Sequence, residues 1–372
     1  MAFRIVADGF ASDGSFFDIS AVNCYPALLM GNTDVKYVIE GGGRFGRVHG
    51  ETFLRILGKP PIAVSTSSES SRAYWQTNNV RVMARGRVAD AIAEDLDFAV
   101  VSVLPDVSAE ALLRILTSDS IIAMGDVVRA RALAILAEKP IATSHAETEA
   151  IIHTAEDKNV QLFMTGQTRF SPMWKRFIRD GTSDLDSLQK ISIRRKFRSG
   201  ADKYGSAIWN LMPHCATELQ YVLRQHNLTL DDVSILEAKE VGENVVIVEA
   251  RIPNGTLISI EVGQGVPEDK SANDTTLLMR DGTKRVFEEK GKQKTVTRYL
   301  ADGRACGISG RVNVENTVEM QDVDFLNAIG VLKQPDAVHN EHMFDPKTEH
   351  RRILDISNFL QKVDEISHAV IG

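Results

Sequence analysis

A glycine-rich loop between a predicted strand and a predicted helix is the feature that most constrains the fold. Residues 35–40 have the apolar pattern of a strand, and Gly41, Gly43 and Gly46 satisfy the G-x-G-x-x-G spacing directly after it. Apolar residues between 48 and 57 then recur at helical spacing. Such a loop lets the backbone approach a pyrophosphate, and the helix N-terminus behind it offers unpaired N–H groups. The pattern predicts a dinucleotide-binding unit, and the alternative is a plain glycine turn.

The alternation of strands and helices continues after the glycine loop. Ser144 and Glu147 form a capping box that opens a further helix. The other predicted strands of this region cover residues 62–65, 98–104, 132–137 and 160–164. Alternation of this kind is typical of a doubly wound parallel sheet.

After residue 165 the pattern changes to strands joined by hairpin turns. Asn254-Gly255 and Asp281-Gly282 are hairpin signals. The predicted strands cover residues 191–197, 245–252, 256–262, 276–279 and 295–300. Three predicted helices are expected to cover one face of this antiparallel sheet, at residues 216–224, 320–332 and 348–363.

The predicted fold class is therefore α/β. It combines an N-terminal Rossmann doubly wound parallel sheet with a C-terminal α+β domain that has a large open, mainly antiparallel sheet. The length of 372 residues suits two domains. We assign residues 1–33 to an N-terminal extension, 34–165 to the NAD(P)-binding Rossmann domain, and 166–372 to a substrate-binding and oligomerisation domain.

Composition and charge exclude several classes of function. The net charge of -7 gives no electrostatic footprint for nucleic acid. No apolar run approaches the roughly 18 residues of a membrane span. The three cysteines are widely spaced and form neither a disulfide framework nor a zinc signature. Because the N-terminus also lacks the features of a secretory signal, we expect a cytoplasmic protein that acts on small molecules.

The histidines show no convincing metal-binding spacing. His339 and His342 lie three residues apart beside Glu341, but no third ligand can be named, and a surface position is favoured. We therefore predict no metal.

The turn after the second predicted strand indicates the choice of cofactor. An acidic residue there would bind the ribose of NAD, whereas this chain has Thr66 and Ser67, with Arg72 one helical turn on. Hydroxyls plus an arginine suit the 2′-phosphate of NADP. The alternatives are that Glu69 takes the place of the acid or that the segment only caps a helix. The sequence favours NADP over NAD.

The order of four segments resembles the Gfo/Idh/MocA family of oxidoreductases over roughly residues 34–372. The segments are the glycine motif, Glu138-Lys139-Pro140, residues 166–172, and residues 210–214. The resemblance implies reversible hydride transfer between nicotinamide and a carbinol or ketone carbon of a sugar, cyclitol or related small polar molecule. It also implies a homodimer or homotetramer formed through the open sheet.

The same resemblance assigns the site residues. It implies that Lys139 hydrogen-bonds the substrate oxygen and that His214 donates or accepts the proton. The family has an aspartate four residues before this histidine, on the same helix face. Here Asn210 can orient an imidazole but cannot stabilise an imidazolium as a carboxylate does. Arg169 matches the family's Arg-Phe-x-Pro segment; it is a candidate substrate ligand, and a structural ion pair is the favoured alternative. The candidate cofactor-binding residues are Gly41, Gly43, Arg44, Phe45, Gly46, Thr66, Ser67, Arg72, Pro105, Glu138 and Lys139.

Alternatives remain open for one segment and for the function of the whole protein. The basic run at residues 194–198 is interpreted as a solvated or subunit-contact face in preference to an anionic substrate cleft. For the whole protein, one alternative is a non-catalytic dinucleotide- and ligand-binding regulatory protein, which Asn210 favours. The other is a reductase of a different substrate class, such as an imine or a tetrapyrrole, on the same fold.

Overall fold

The computed structural model describes residues 8–10, 16–18, 35–91, 96–118, 132–198, 205–242, 244–290, 293–309, 315–332 and 344–369. Cys24, His339, Glu341 and His342 lie outside these ranges. The first two strands, β1 (Asp8–Phe10) and β2 (Phe16–Asp18), pair antiparallel. Among the helices described, none combines the length and the apolar character that crossing a bilayer requires.

Six parallel strands form the first sheet. They are β3 (Tyr37–Glu40), β4 (Ala63–Ser65), β5 (Arg81–Met83), β6 (Phe98–Val101), β7 (Ala134–Ala137) and β8 (Gln161–Met164). The strand order is β5-β4-β3-β6-β7-β8. Every residue of β3, β6 and β7 is buried. Burial on both faces explains why these strands appear in the sequence as continuous apolar runs.

Helices alternate with these strands as predicted. They are α1 (Arg44–Leu57), α2 (Glu69–Thr77), α3 (Pro105–Leu116) and α4 (His145–Asp157). The side chains of Ser68 and Ser144 cap α2 and α4 by accepting backbone N–H bonds from the first turn. The strand predicted to reach residue 104 ends at Val101, because Pro105 occupies the first turn of α3.

The second sheet has eight strands. They are β9 (Leu188–Phe197), β10 (Ser234–Glu240), β11 (Val245–Arg251), β12 (Leu257–Gln264), β13 (Ala272–Met279), β14 (Lys284–Lys290), β15 (Gln293–Tyr299) and β16 (Ala305–Ser309). Their order is β10-β11-β12-β9-β13-β14-β15-β16, and all neighbours are antiparallel except β9 and β12. Gly255 and Gly282, at φ 86 and 82, turn the two predicted hairpins. The predicted α/β class with a mainly antiparallel second sheet is confirmed.

Three helices belong with the second sheet: α5 (Pro172–Thr182), α6 (Ala207–Asn210) and α7 (Met212–Arg224). Ile191 and Ile193 of β9 are buried, whereas the residues that alternate with them are partly exposed. One face of the sheet is therefore covered and the other open.

The last two helices, α8 (Glu315–Ala328) and α9 (Glu349–Ala369), correct the prediction that both cover the antiparallel sheet. The chain divides into one unit of Pro26–Gly166 and Val318–Ser357 and a second of Met1–Tyr25, Gln167–Thr317 and Asn358–Gly372. The ring of Phe325 lies 5.3 Å from those of Phe98 and Phe163, in the core of the parallel sheet. The predicted boundary at residue 165 adjoins the division between Gly166 and Gln167, and the return of the chain at Val318 was not predicted.

Candidate active site

The glycine loop leaves β3 in a conformation that only glycine adopts easily. Gly41 has φ 93, and the N–H groups of Gly41 and Gly42 donate to the carbonyl oxygen of Ser65 at 3.2 and 2.8 Å. A Cβ atom on Gly46 would lie closer than 3.0 Å to the carbonyl oxygen of Gly41. The loop is thus folded tightly back on the start of α1.

Gly43, in contrast to Gly46, has space around it: a Cβ atom there would meet no described atom within 4 Å. It is the N-cap residue of α1, and the first turn of that helix carries no acidic residue. Space beside the N-cap residue, together with the N–H groups and the positive end of the helix dipole at this helix start, fits a pyrophosphate. Arg44 and Phe45 beside it are exposed.

An indole supports the loop from behind, and this contact was not predicted. Trp75 of α2 is buried, and its Nε1–H donates to the carbonyl oxygen of Gly42 at 2.9 Å. A Cβ atom on Gly42 would lie closer than 3.0 Å to this ring nitrogen. The loop conformation is therefore tied to the position of α2.

The end of β4 carries the residues predicted to select the cofactor. Thr66 is buried and accepts the N–H of Ser68 at 3.2 Å, whereas Ser67 and Arg72 are exposed. The cap of α2 is provided by Ser68, and Glu69 is exposed in its first turn. At this strand end, Ser67 and Arg72 are thus the predicted residues that are accessible to a ligand phosphate.

Arg47 is a further cation in this region that the sequence reasoning missed. Its Nη2 donates to Ser71 Oγ at 3.1 Å, and its guanidinium lies 4.6 Å from the centroid of the Tyr74 ring. Arg47 directly follows the last glycine of the motif and lies in the first turn of α1. This position next to the motif could have identified Arg47 from the sequence.

Lys139 lies at the carboxyl end of β7, on the edge of the sheet where the glycine loop leaves β3. It is half-buried, its backbone N–H donates to Thr165 Oγ1 at 3.2 Å, and its peptide bond to Pro140 is cis. Lys139 therefore lies at a strand end, as the sequence predicted. At the neighbouring strand end, Pro105 is half-buried in the first turn of α3.

Glu138 makes its hydrogen bonds within the protein. Its Oε2 accepts the hydroxyl of Thr165 at 2.9 Å, and its Oε1 lies 3.0 Å from Nε2 of His49. The other ring nitrogen of His49 lies 3.0 and 3.1 Å from the two carboxylate oxygens of Asp322. The side chains of His49 and Asp322 are fully buried, and that of Glu138 is 11% exposed.

This cluster perturbs the ionisation of its members. Burial lowers the pKa of His49, but the charges and hydrogen bonds of Asp322 and Glu138 outweigh burial and raise that pKa to about 10. Burial raises the pKa of Glu138, and the hydrogen bond and charge of His49 outweigh it, so that the pKa is lowered. Burial also raises the pKa of Asp322, against the field of His49. Neither His49 nor Asp322 was predicted as a site residue.

In the second unit, Asn210 and His214 lie on consecutive helices. Asn210 ends α6, and His214 lies in the first turn of α7. The single helix that the sequence suggested is interrupted at Leu211, because Pro213 lacks the N–H that would continue the ladder. The Asn210 amide donates to Gln264 Oε1 at 2.8 Å, and Gln264 in turn donates to the carbonyl oxygen of Gly205. Gln264 was not predicted.

Arg169 is 2% exposed, on the short 3₁₀ helix Gln167–Phe170, with its guanidinium 4.9 Å from the Phe170 ring. Its burial leaves little of the side chain for a ligand.

Strand β9 carries the basic run that was predicted to form a solvated or subunit-contact face, and one of its residues departs from that prediction. Arg195 is buried and pairs with Glu218 of α7, so it lies on the covered face of the sheet. Its neighbours on the open face are also paired: Arg194 lies 2.8 Å from Asp274, and Lys196 lies 2.7 Å from Glu261. Strand alternation predicted the two faces correctly but not which one the helix covers.

Within the described residues, no group of three or more histidine, cysteine, aspartate or glutamate side chains has the arrangement of a metal site.

Residues 35–166 match the model of the Gfo/Idh/MocA family, described as an oxidoreductase family with an NAD-binding Rossmann fold. No curated protein sequence matches the chain. The match confirms the predicted resemblance, and with it an NAD(P)-binding domain.

Solved structures of similar fold extend over both units. UDP-N-acetylglucosamine 3-dehydrogenase from Acidithiobacillus ferrooxidans has a TM-score of 0.66 at 16% identity, covering 91% of this chain and 99% of that chain. A 3-ketoreductase from Actinomadura kijaniata, solved with NADP and TDP-benzene, has a TM-score of 0.68 at 12% identity, covering 90% and 98%. An NAD-binding protein from Listeria innocua has a TM-score of 0.64 at 13% identity, covering 90% and 95%. At these identities the likeness establishes the fold.

Proposed function

We propose that this protein, which belongs through its Rossmann domain to the Gfo/Idh/MocA oxidoreductase family, transfers a hydride between NAD(P) and a carbinol or ketone carbon of a sugar-like molecule. The observation that carries the proposal is the position of Lys139. A half-buried ammonium side chain stands at the end of β7, on the edge of the sheet that also presents the glycine loop. Ligands of doubly wound sheets bind at this edge.

The chain's own residues fit the dinucleotide. The N–H groups at the start of α1, beside Gly43, would hold the pyrophosphate, and Ser67 and Arg72 would hold a 2′-phosphate on the adenosine ribose. Arg47 is well placed to add positive charge, because it contacts Ser71 at the start of α2. These residues favour NADP over NAD. When bound, the nicotinamide supplies the carbon that accepts or donates the hydride.

Lys139 would hold the reacting oxygen of the substrate. An ammonium next to a hydroxyl stabilises the alkoxide character that develops as the hydroxyl loses its proton. In the reductive direction the same ammonium polarises the ketone and supplies a hydrogen bond to the oxygen. The backbone bond from Lys139 to Thr165 fixes where the side chain starts.

His214 would accept the proton of the hydroxyl, or return it in the reductive direction. The hydrogen bond between Asn210 and Gln264 fixes the orientation of the Asn210 amide. An amide can orient an imidazole but leaves the imidazolium less stable than a carboxylate would. We therefore propose that this chain favours ketone reduction more strongly than do relatives that have an aspartate at this position.

The names of the structural neighbours narrow the search for a substrate. One is named for UDP-N-acetylglucosamine and another was solved with NADP and a TDP derivative. We therefore propose UDP- and TDP-linked sugars and their 3-keto forms as the first compounds to assay, followed by free sugars and cyclitols.

The test follows the nicotinamide absorbance with each of these compounds and with both cofactors. Turnover that requires Lys139 is expected, and a Lys139→Ala variant is the control for background reaction. Turnover of imines or tetrapyrroles in place of sugars would reassign the substrate class. If NADP and a sugar bind together without reaction, the protein is a regulatory binding protein, and the proposal is wrong.

A further inference from the structure

Three charged side chains are buried together in the Rossmann unit, and the proposed reaction uses none of them. His49 comes from α1, Glu138 from the end of β7, and Asp322 from α8, in the segment that returns to this unit. Burying charged groups is costly unless each is paired. The geometry of the cluster indicates what the pairing achieves.

Both ring nitrogens of His49 face a carboxylate. Nδ1 lies 3.0 Å from Asp322 Oδ1, and Nε2 lies 3.0 Å from Glu138 Oε1. A neutral imidazole carries one N–H, so its second nitrogen would present a lone pair to a carboxylate oxygen. An imidazolium donates at both positions. Because the two carboxylates also raise the pKa of His49, the arrangement favours the protonated ring.

The cluster continues to the backbone of Lys139. Glu138 Oε2 accepts the hydroxyl of Thr165 at 2.9 Å, and the same hydroxyl oxygen accepts the backbone N–H of Lys139 at 3.2 Å. A continuous series of hydrogen bonds thus runs from Asp322 through His49, Glu138 and Thr165 to Lys139. It ties the helix behind the glycine loop to the residue proposed to hold the substrate oxygen.

The cluster also acts on Lys139 through charge. Lys139 lies close enough to Glu138 for its charge to lower the pKa of that carboxyl group. Without a cation at His49, the Glu138 carboxylate would attract the Lys139 ammonium more strongly and draw it away from a substrate. Tyr37 is a further titratable group near the cluster, and burial together with the charge of Asp322 raises its pKa.

We propose that His49 is a positioning residue for Lys139: its imidazolium holds Glu138 in place, and with it the Thr165 hydroxyl that binds the Lys139 backbone, and it offsets the charge with which Glu138 attracts the Lys139 ammonium. The proposal rests on the proposed function only for the role of Lys139 at the reacting centre. The link between His49 and Lys139 is a property of the Rossmann unit and can be measured without a substrate.

The first measurement uses NMR on the whole protein. Ring ¹⁵N shifts report the protonation of His49, and ¹³C at Cε of lysine, assigned by its loss in Lys139→Arg, reports Lys139. His49 is expected to remain an imidazolium up to a pH of about 10. Beside the titration of its own ammonium, the Lys139 resonance is expected to show a second inflection where His49 titrates, which His49→Gln should remove. A neutral ring at pH 7, or a Lys139 resonance that does not respond to the titration of His49, would overturn the proposal.

The second measurement uses substitutions. His49→Gln is expected to raise the pKa of Lys139 and to lower turnover by about 10-fold to 10²-fold, as for a misplaced catalytic group. NADP affinity should change by less than about threefold, since the glycine loop is retained. The matched control is His153→Gln, on α4 of the same unit, where the side chain is 71% exposed and no change is expected.

Asp322→Asn covers the case in which His49→Gln fails to fold. It keeps His49 and Glu138 but removes one carboxylate, so both the His49 titration and the Lys139 inflection should move together to lower pH. If the His49 titration moves to lower pH and the Lys139 inflection does not, the result contradicts the proposal. If wild-type protein turns over a sugar and His49→Gln does so at the same rate, the positioning role of His49 is wrong and the proposed function is unaffected. If no substrate is found, the Lys139 inflection still decides the positioning role.

Discussion

Substituting Gly43 and Gly46 separately by alanine tests whether the loop binds a pyrophosphate or only turns the chain. The two glycines lie three residues apart, yet their surroundings differ. A Cβ atom on Gly43 would meet no described atom within 4 Å, whereas one on Gly46 would lie closer than 3.0 Å to the Gly41 carbonyl oxygen. The first substitution should therefore affect the ligand and the second the fold.

The expected magnitudes follow from these surroundings. Gly43 has φ -72, which alanine adopts freely, and its loss as N-cap should change the free energy of unfolding by no more than about 1 kcal/mol. A methyl group there would hold the pyrophosphate away from the helix N-terminus. Losing one charge-assisted hydrogen bond, about 1.5–3 kcal/mol, raises the NADP dissociation constant by roughly 10-fold to 150-fold. For Gly46→Ala, overpacking against backbone should lower stability by about 1–3 kcal/mol or more.

Urea unfolding followed by tryptophan fluorescence measures the stability of both variants, and calorimetric titration measures NADP binding. Gly43→Ala should unfold like wild type and bind NADP weakly. Gly46→Ala should unfold at lower urea concentration. If Gly43→Ala binds NADP as tightly as wild type, the space in front of α1 does not receive the pyrophosphate and the reasoning fails.

Arg72→Ala should weaken NADP by about 10-fold and leave NAD nearly unchanged, and tenfold tighter binding of NAD by wild type, about 1.4 kcal/mol, would reverse the cofactor assignment. Lys139→Ala and His214→Ala should each lower turnover by about 10²-fold with cofactor affinity retained, and the double variant should lose less than the product of the two. The pKa of His49 is raised in the folded state to about 10, so its stabilising contribution should be full below the unfolded pKa of about 6.5 and be lost as the pH rises through about 10. Urea unfolding across that range should show the loss in wild type and not in His49→Gln. Light scattering at micromolar protein should return a dimer or tetramer of the 41.0 kDa chain, and a monomer would contradict the proposed assembly.

Local signals predicted most of the Rossmann unit. The glycine spacing, the apolar runs of β3 and β6, and the capping serine of α4 are each contained within a few residues, so the sequence carries them directly. The position of Lys139 followed from the same logic, because a residue after a buried parallel strand must lie at the sheet edge.

The sequence could not indicate which residues far apart along the chain pack or pair with each other. Helical periodicity predicted α8 but not the sheet against which its buried face packs, and Phe325 packs among rings of the parallel sheet. In the same way, alternation along β9 separated Arg195 from Arg194, but only the structure places Glu218 opposite Arg195. A pattern indicates which residues are buried and does not name the surface that buries them.

Glu138 is the position where the structure changes the interpretation most. The family resemblance grouped it with the cofactor-binding residues, but its two carboxylate oxygens contact His49, which is 89 residues away in sequence, and Thr165. The third member, Asp322, is 273 residues from His49. Replacing a buried ionic cluster by apolar side chains of similar volume is often neutral or stabilising by about 1–4 kcal/mol, so stability alone is a weak reason for this one. What apolar side chains could not do is continue the hydrogen bonds through Glu138 and Thr165 to the backbone N–H of Lys139, and this is the positioning proposed above.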